Sequence, residues 1–560
     1  MNKIIIYIAL VCIPIFAQNV KKTKINQSKF DNSENTQEYL EMFEDAFFRL
    51  ESSYVDSINE SEVIKAGING MLKHLDPYTV FLSGSNKERL DMLRTGKYGG
   101  VGIQIGLRRD TLTILAPFED SPAYSEGIHA GDQILMIDSI KTSKMTIKEA
   151  SKLIKGEMGT SVKLTIFRPS EKKRISFNLE RANIVIKHVP YWGIDKSGIG
   201  YIRVTKFSKN TGKDFQKALS EIINQEDRLN GIIIDLRGNS GGLLSNAISM
   251  LDLLTERGVN LLNTKGRIKQ SNRKMNSRRR PIVASDIPIA ILINKSSASA
   301  SEIVAGTLQD LDRAIIVGEK SFGKGLVQSM YNINDSSTIK ITTAKYFTPS
   351  GRLIQKEDYF KKNILSSKYN EQDSIYFTRL GRAVKGGGGI NPDIVVKNEI
   401  LPKYVQGIWN SGAFLTFAAT YSPLNNIKTP VIITDKIIDD FNDFLKEYEI
   451  KYKLDGEINL KRLKEALEST DGLKSYNRLT NRLDKYYKKE RKKQYYKKEN
   501  LRWIKNGLLR ELSRVVSGEK ERIKVSLYED NVYINASKVL LDLNQYYDIL
   551  TPKDSTISKQ

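Results

Sequence analysis

The chain has 560 residues, of which 40% are hydrophobic and 27% are charged, a composition typical of a soluble protein with several domains. Its formal net charge is +23, so part of its surface must be strongly basic. The one cysteine, Cys12, lies in an apolar N-terminal run, which excludes disulfides, a cysteine nucleophile and thiolate metal sites from the rest of the sequence.

The N-terminus predicts a secretory signal peptide over residues 1–17. Lys3 supplies a positive end, and the apolar run from Ile4 to Phe16 is too short to span a bilayer. Ala17 suits the position before a cleavage point. We therefore expect the protein to be exported, with its signal peptide cleaved near Ala17, and to be periplasmic or associated with the cell envelope. An uncleaved N-terminal anchor is the alternative.

Residues 18–95 are predicted to form a polar linker followed by a small helical domain. Apolar residues at helical spacing from Tyr39 to Leu50, and again from Glu60 to Leu75, predict two helices. Pro77 ends the second helix because its ring cannot continue the helical hydrogen bonds.

Residues 96–182 change to short strands separated by glycine turns. Their order, with Ser121-Pro-Ala and Ala130-Gly-Asp-Gln-Ile-Leu135, resembles a PDZ domain, which binds the carboxy-terminus of another chain as an added strand. The resemblance implies that the terminal carboxylate binds a loop made of Gly100, Val101, Gly102 and Ile103. A glycine-rich hairpin without a ligand is the alternative, since turn chemistry alone favours glycines there.

Residues 183–400 alternate apolar strands with helices, which is typical of parallel βα units. The apolar strand from Gly231 ends in the turn Arg237-Gly-Asn-Ser-Gly-Gly242, and a helical pattern follows. This turn is not a phosphate loop, because no Gly-Lys-Ser/Thr follows its glycines. The glycines either turn backbone N–H groups towards an anion or simply allow a tight turn.

The stretch from Ile287 to Tyr346 carries the candidate chemistry. An apolar run predicts a buried strand, and a cluster of serines then precedes a helical pattern. Lys324 lies between two glycines, ahead of another strand. A serine on a strand-to-helix turn and a lysine in a glycine loop are what a Ser/Lys hydrolase needs, although helix capping alone also explains such serines.

The three histidines, His74, His129 and His188, all precede this stretch, and none has a second histidine at ligand spacing. A histidine-rich zinc site is therefore not expected, and lysine is the more natural base for a serine nucleophile. To act as a base, Lys324 must lose its proton. Lowering its pKa from ~10.4 to ~7.5 requires about 4 kcal/mol, which burial beside its apolar neighbours would supply.

Three motifs resemble those of the carboxy-terminal processing (tail-specific) serine peptidases: Ser297-Ala-Ser-Ala-Ser-Glu-Ile303, Gly318-Glu-Lys-Ser-Phe-Gly-Lys-Gly-Leu-Val-Gln328 and Thr343-Ala-Lys-Tyr-Phe-Thr-Pro-Ser-Gly-Arg352. The resemblance runs from about Phe43 to Val396 and stops before the last 160 or so residues. It implies a multidomain α/β protein: a crotonase-like α/β protease core with an inserted PDZ domain and a helical N-terminal region. The residues after about 400, which the resemblance does not cover, are themselves predicted to form a helical, basic C-terminal region.

The family's catalytic residues fall on Ser299 as nucleophile, Lys324 as base and Gln328 as the partner of the lysine. Its oxyanion N–H groups fall on Gly242 and Ala300, and Lys320 is an alternative base. The implied function is a serine endopeptidase that uses a Ser/Lys dyad to hydrolyse peptide bonds near the carboxy-termini of envelope or secreted proteins. No metal or organic cofactor is implied, and whether an adaptor protein is needed stays open.

Two other functions compete with this one. The first is a non-catalytic PDZ scaffold that binds protein carboxy-termini in the envelope. The second is a polyanion binder built on the C-terminal region, residues 401–560, in which residues 482–505 carry 11 Lys or Arg against 3 Asp or Glu. Tyrosines among these lysines suit stacking and phosphate contacts, and export favours an anionic envelope surface over nucleic acid. The favoured interpretation is a solvated helix face with its apolar residues turned inward: Leu483, Leu501, Ile504 and Leu508.

Overall fold

The structure is a computed structural model that describes residues 33–225, 229–356, 374–448, 450–469 and 473–552. The predicted signal peptide, residues 1–17, lies outside the described residues. Contacts divide the chain into two compact units, Met1–Met71 and Leu72–Gln560. In the part of the chain that is described, no helix is long and apolar enough to cross a membrane.

The first unit contains helix α1, Ser33–Ser53, and most of α2, Glu60–Lys73. Both helices lie where the spacing of apolar residues predicts them. Gly67 of α2 faces Phe43 of α1, and a Cβ added at Gly67 would lie 3.0 Å from the Phe43 ring. The missing side chain therefore allows the two helices to approach closely.

A small sheet domain lies near the start of the second unit, after β1, Val80–Ser83, and α3, Ser85–Thr95. Its elements in chain order are β2 Lys97–Gly100, β3 Ile103–Arg108, β4 Thr111–Pro117, α4 Pro122–Ser125, β5 Gln133–Ile137, β6 Ile140–Lys141, α5 Ile147–Ile154, β7 Ser161–Arg168, β8 Lys173–Glu180 and β9 Ala182–Val185. An antiparallel sheet has the order β3-β4-β5-β7-β8, with β6 on β5, while β2 pairs with β9. The short strands predicted for residues 96–182 are observed, together with the two helices α4 and α5.

An α/β domain follows. Its elements are β10 Tyr191–Ile194, β11 Ile199–Arg203, α6 Thr211–Gln225, β12 Gly231–Asp235, α7 Leu244–Leu251, β13 Asn260–Lys265, β14 Arg273–Asn276, β15 Ile289–Ile293, α8 Ala300–Asp310, β16 Ile315–Gly318, β17 Leu326–Asn334, β18 Ser337–Phe347, β19 Ile375–Phe377, β20 Ala383–Lys385 and β21 Ile394–Val395. The central sheet has the order β10-β11-β12-β15-β16-β21 and is parallel from β11 onward. A second, antiparallel sheet has the order β1-β18-β13-β14, with β17 also on β18.

The described residues after 400 are helical, as predicted. Their helices are α9 Lys403–Ser411, α10 Ala413–Leu424, α11 Asp435–Lys446, α12 Asp455–Glu468, α13 Leu473–Lys492, α14 Lys498–Ser526, α15 Asn531–Leu541 and α16 Leu543–Leu550. Residues of α9, α10, α11 and α14 form a hydrophobic cluster of their own around Phe414, Phe417 and Phe441. The last two helices pack elsewhere, on the α/β domain.

Both faces of the central sheet are buried. On one face, side chains such as Ile232 and Ile291 pack against α6, α7 and α8. On the other face, Ile233 and Leu292 pack against Leu540 and other apolar residues of α15 and α16. Burial on both faces explains why these strands are apolar throughout instead of alternating.

The small sheet domain rests against the helical region. The Arg109 guanidinium lies 4.4 Å from the centroid of the Tyr448 ring, in a cation–π contact. A Cβ added at Gly131 would lie 2.4 Å from the Cβ of Ala419, so the two surfaces meet at a glycine. The C-terminal helices therefore contact both the small sheet domain and the central sheet.

Candidate active site

Ser299 lies on a sharp turn between β15 and α8. Its φ of 56° and ψ of −114° are rare for a residue with a side chain, and strain of this kind costs about 1–3 kcal/mol. Ser297 and Ser301 are buried, and their hydroxyls donate to the carbonyl oxygens of Leu236 and Asn239 at 2.9 and 2.8 Å. Ser299 is half-buried, so of these three serines it is the one that a substrate can reach.

The loop after β12 packs directly against the Ser299 turn. A Cβ added at Gly241 would lie 2.8 Å from Ser299 Cβ and 2.7 Å from the carbonyl oxygen of Ala298, so a larger residue does not fit. The Ala298 N–H donates to the carbonyl oxygen of Asn239 at 3.0 Å. The glycines of this turn are thus required by a close approach of two backbones.

Two backbone N–H groups at this junction are unused. Within the described residues, neither Gly242 nor Ala300 donates a hydrogen bond from its N–H group. The neighbouring N–H of Gly241 donates to Asn239 Oδ1 at 2.9 Å. Ala300 is the first residue of α8, where N–H groups have no partner within the helix. The unused donors are the two that the resemblance assigns to an oxyanion.

Lys324 lies in a loop that only glycines allow. A Cβ added at Gly323, whose φ is +89°, would lie 2.6 Å from Lys356 Cγ. A Cβ added at Gly325 would lie 2.9 Å from the nitrogen of Gln355. The close approach of neighbouring backbone explains why glycines flank this lysine.

A chain of hydrogen bonds orients the lysine. Lys324 Nζ donates to Gln328 Oε1 at 2.8 Å, and Gln328 Nε2 donates to Thr342 Oγ1 at 3.4 Å. Thr342 Oγ1 donates in turn to Asp76 Oδ1 at 3.1 Å. The Tyr78 ring covers the lysine, with Nζ 4.3 Å from the ring centroid. The structure therefore brings Lys324 and Gln328 together and adds a segment that lies far away in sequence.

The pKa of Lys324 is lowered to about 8, mainly by burial and then by the positive charge of Lys340. The carboxylates of Asp76 and Glu302 act in the opposite direction. With a pKa of about 8, about one tenth of the lysine is neutral at pH 7. Lys320, the alternative base, is exposed and lacks this burial.

A buried carboxylate connects Ser299 with the lysine loop. Glu302 Oε2 accepts hydrogen bonds from the N–H groups of Ser299, at 2.7 Å, and Lys324, at 2.9 Å. Its Oε1 accepts from the N–H of Gly323 at 2.6 Å and from the hydroxyl of Ser321 at 2.5 Å. Burial raises the pKa of Glu302 to about 6, and these four hydrogen bonds oppose that rise. The group is therefore ionised at neutral pH.

Tyr346 makes a second connection, since its hydroxyl contacts the carbonyl oxygens of both Ser299 and Lys324. Neither Glu302 nor Tyr346 was among the site residues predicted from the sequence. A signal for Glu302 was present, because Ser299-Ala-Ser-Glu302 has the spacing of a capping box. Tyr346 carries no comparable local signal, because its two contacts belong to the tertiary fold.

The predicted carboxylate-binding loop joins β2 to β3, and β3 is the edge strand of its sheet. The carbonyl oxygens of Val101 and Gly102 accept hydrogen bonds from Ala123, at 3.0 Å, and Phe118, at 2.8 Å, which fixes the loop. Across the described ranges, the N–H groups of Val101 and Gly102 donate no hydrogen bond. Two fixed, unused donors beside an edge strand and α5 suit a peptide carboxylate.

The basic segment is divided between α13 and α14 and does not form one continuous helix. Tyr495 is buried, and its hydroxyl donates to a backbone carbonyl. Ile504 and Leu508 are buried, while Leu483 and Leu501 are partly buried. This arrangement matches the favoured interpretation of a solvated basic face over an apolar side.

Four known protein families match separate segments that together make up most of the chain. The family described as Peptidase family S41 matches residues 198–364, and a PDZ domain matches residues 113–168. The N-terminal domain of the activating protease CtpB matches residues 6–85. A C-terminal helical domain of probable PDZ-proteases matches residues 404–540, the region for which the sequence analysis found no resemblance.

Several relatives are similar over most of their own length. The carboxy-terminal-processing protease of Bartonella bacilliformis is 35% identical over 376 residues, 67% of this chain and 79% of that protein. The carboxyl-terminal-processing protease of Synechocystis sp. is 34% identical over 363 residues, 64% of this chain and 81% of that protein. These similarities favour a peptidase over a PDZ scaffold or a polyanion binder. The chain belongs to peptidase family S41 and is a carboxy-terminal processing protease of the serine type with a PDZ domain.

Proposed function

We propose that this protein is a serine endopeptidase in which Ser299 and Lys324 form the catalytic dyad. One observation carries the proposal. A strained, half-buried Ser299 and a Lys324 with a pKa of about 8 donate their backbone N–H groups to the same buried carboxylate, that of Glu302. Such a carboxylate holds nucleophile and base in one rigid arrangement, which is what general-base activation of a serine requires.

In the proposed mechanism, neutral Lys324 accepts the hydroxyl proton as Ser299 Oγ forms a bond to the carbonyl carbon of the substrate. Negative charge develops on the carbonyl oxygen, where the unused N–H groups of Gly242 and Ala300 stabilise it. The Lys324 ammonium then gives its proton to the amine as the C–N bond breaks. Water hydrolyses the acyl-enzyme, with Lys324 again as the base. Gln328 accepts a hydrogen bond from Nζ and keeps it in place.

The substrates are proposed to be envelope or secreted proteins, cleaved near their free carboxy-termini. The PDZ domain captures the tail on the loop from Gly100 to Ile103, with the peptide added to β3. The unused N–H groups of Val101 and Gly102 support this assignment. A crotonase-like fold for the core is proposed as well, supported by the parallel central sheet and its covering helices.

We also propose that the protein is exported, with cleavage near Ala17, to the periplasm or the cell envelope. The motivating feature is the short apolar run after Lys3. N-terminal sequencing of the chain from an envelope fraction tests this: a start just after residue 17 supports it, and a start at Met1 contradicts it. The adaptor protein and the anionic envelope surface stay predictions.

The dyad is tested with purified mature enzyme and an unfolded reporter that ends in an apolar residue with a free carboxylate. Ser299→Ala is expected to lower the cleavage rate by about three orders of magnitude or more, since the nucleophile is lost. The same reporter with an amidated terminus is expected to be cleaved more slowly by the wild type, because the PDZ loop loses its carboxylate. Equal cleavage by wild type and Ser299→Ala would overturn the assignment.

The base is tested by its pH dependence. Because only neutral Lys324 accepts a proton, kcat/KM is expected to rise as the pH increases through about 8. The cation of Lys340 lowers the pKa of Lys324, so Lys340→Gln is expected to raise that pKa and shift the rising limb to higher pH. Lys274→Gln, an exposed change on the same sheet, is the control and should leave the profile in place. A shift of the Lys340→Gln profile to lower pH would contradict the assignment of the base.

The bridging carboxylate is tested with Glu302→Gln. A glutamine has one acceptor oxygen, so either the pair Ser299 and Lys324 or the pair Gly323 and Ser321 would face an NH2 group. We expect kcat to fall strongly, together with a loss of about 1–3 kcal/mol in the free energy of unfolding. Enzyme assays and urea denaturation measure the two effects. Unchanged kcat in a folded Glu302→Gln variant would show that the bridge is dispensable.

A further inference from the structure

Arg237 stands where the central sheet meets the loop of the proposed oxyanion site. It follows β12 by two residues and begins the turn that leads to Gly242. Its N–H donates to Asp235 Oδ1 at 2.9 Å, and its carbonyl oxygen accepts from Arg203 Nη2 at 2.7 Å. The next N–H, of Gly238, donates to Asn294 Oδ1 at 3.0 Å. These contacts hold the backbone of Arg237 in place at the point where the turn leaves the sheet.

Arg237 and Arg203 share one buried carboxylate. Asp235 is fully buried and lies 2.6 Å from Arg203 Nη1 and 2.6 Å from Arg237 Nη2. It also accepts a hydrogen bond from the Tyr201 hydroxyl at 2.8 Å. Two guanidinium groups facing one carboxylate leave an excess positive charge in a site with little water, which requires a second anion.

The C-terminal helical region supplies that anion. Arg237 Nη1 donates to Asp530 Oδ1 at 2.9 Å and Nη2 donates to Asp530 Oδ2 at 2.6 Å, a two-pronged ion pair. The side chains are 12% and 18% exposed, so water screens the pair little. Asp530 lies 293 positions after Arg237 in sequence.

Asp530 is itself held in place. Its Oδ1 accepts hydrogen bonds from the N–H groups of Val532, at 3.0 Å, and Tyr533, at 3.1 Å, and so caps α15. The helix behind it is anchored by Ala536 and Leu540, both buried against the central sheet. Asp530 therefore presents a fixed carboxylate to a residue of the oxyanion loop.

We propose that Asp530 is a positioning residue for catalysis: it fixes Arg237 and, through it, the loop that presents the Gly242 N–H to the developing oxyanion. The inference rests on the proposed role of Gly242. On this proposal the C-terminal helical region has two roles: it covers one face of the central sheet, and it positions a loop of the active site. The region acts on the transition state and leaves the affinity for the substrate tail unchanged.

Asp530→Asn tests this proposal. Asparagine keeps the size and the helix cap, but it loses the charge and one of the two acceptors for Arg237. We expect kcat to fall roughly tenfold to a hundredfold, as small misplacements of catalytic groups do, while KM changes by less than about twofold. Glu529→Gln is the matched control, because the neighbouring Glu529 pairs with the exposed Arg502 at 2.9 Å instead.

A pair of inhibitors separates positioning from mere stabilisation. A peptide aldehyde that ends at the reporter's cleavage site forms a tetrahedral adduct with Ser299 and needs the oxyanion donors, whereas the corresponding peptide alcohol does not. Asp530→Asn is expected to weaken binding of the aldehyde by the same factor as kcat and to leave binding of the alcohol unchanged. Because loss of the Asp530 charge also lowers the thermal midpoint, both affinities are measured well below the midpoint of the variant.

Two results would overturn the inference. One is Asp530→Asn with the kcat and aldehyde affinity of the wild type. The other is a parallel loss of aldehyde and alcohol binding, which a general loss of structure produces. The Ser299→Ala variant shows separately whether the proposed function itself is wrong. If Ser299→Ala cleaves the reporter as well as the wild type, the dyad assignment is wrong, and the inference about Asp530 is wrong as well. If Ser299→Ala is inactive and Asp530→Asn is normal, only the role of Asp530 falls.

Discussion

The whole arrangement depends on burying both faces of the central parallel sheet. Parallel strands carry apolar side chains on both sides, so each face needs a covering layer. Helices α6, α7 and α8 cover one face, and α15 and α16 at the far end of the chain cover the other. The Tyr546 hydroxyl even accepts a hydrogen bond from the N–H of Ile289 at the start of β15. The last described helices, α15 and α16, therefore cover one face of β15, the strand that leads to Ser299.

Two buried carboxylates then fix the site on this sheet. Glu302 and Asp235 are both fully buried, and a buried charge is tolerated only when its oxygens are well paired. Burial acts to raise the pKa of Asp235, but the guanidinium groups of Arg203 and Arg237 outweigh it and hold that pKa below its usual range. Each carboxylate thus accepts hydrogen bonds from more than one segment of the chain and links those segments to one another.

The parts of this site that depend on residues close together in the chain could be predicted from the sequence. The strand predicted at the start of the stretch from Ile287 is observed as β15, Ile289–Ile293, and the glycines beside Lys324 allow close backbone contacts. Contacts between distant segments had no such signal. Thr342 and Asp76 are 266 positions apart, and no periodicity or motif links them. The packing of the C-terminal region could not be predicted either. Its charged residues indicate which side of each helix faces solvent, but its apolar residues do not indicate which surface of the protein they contact.

The two interfaces of the helical region differ in their chemistry. Against the central sheet it presents fully buried apolar residues, such as Ala536 and Leu540, around a paired Asp530. Against the PDZ domain it presents a cation–π contact at Tyr448 and an exposed ion pair, with Lys520 Nζ 3.1 Å from Glu119 Oε2. Exposed ion pairs contribute about 0–1 kcal/mol, whereas apolar burial contributes far more. The helical region therefore meets the central sheet through buried apolar side chains around one paired carboxylate, whereas its contacts with the PDZ domain include the charged groups of Arg109 and Lys520.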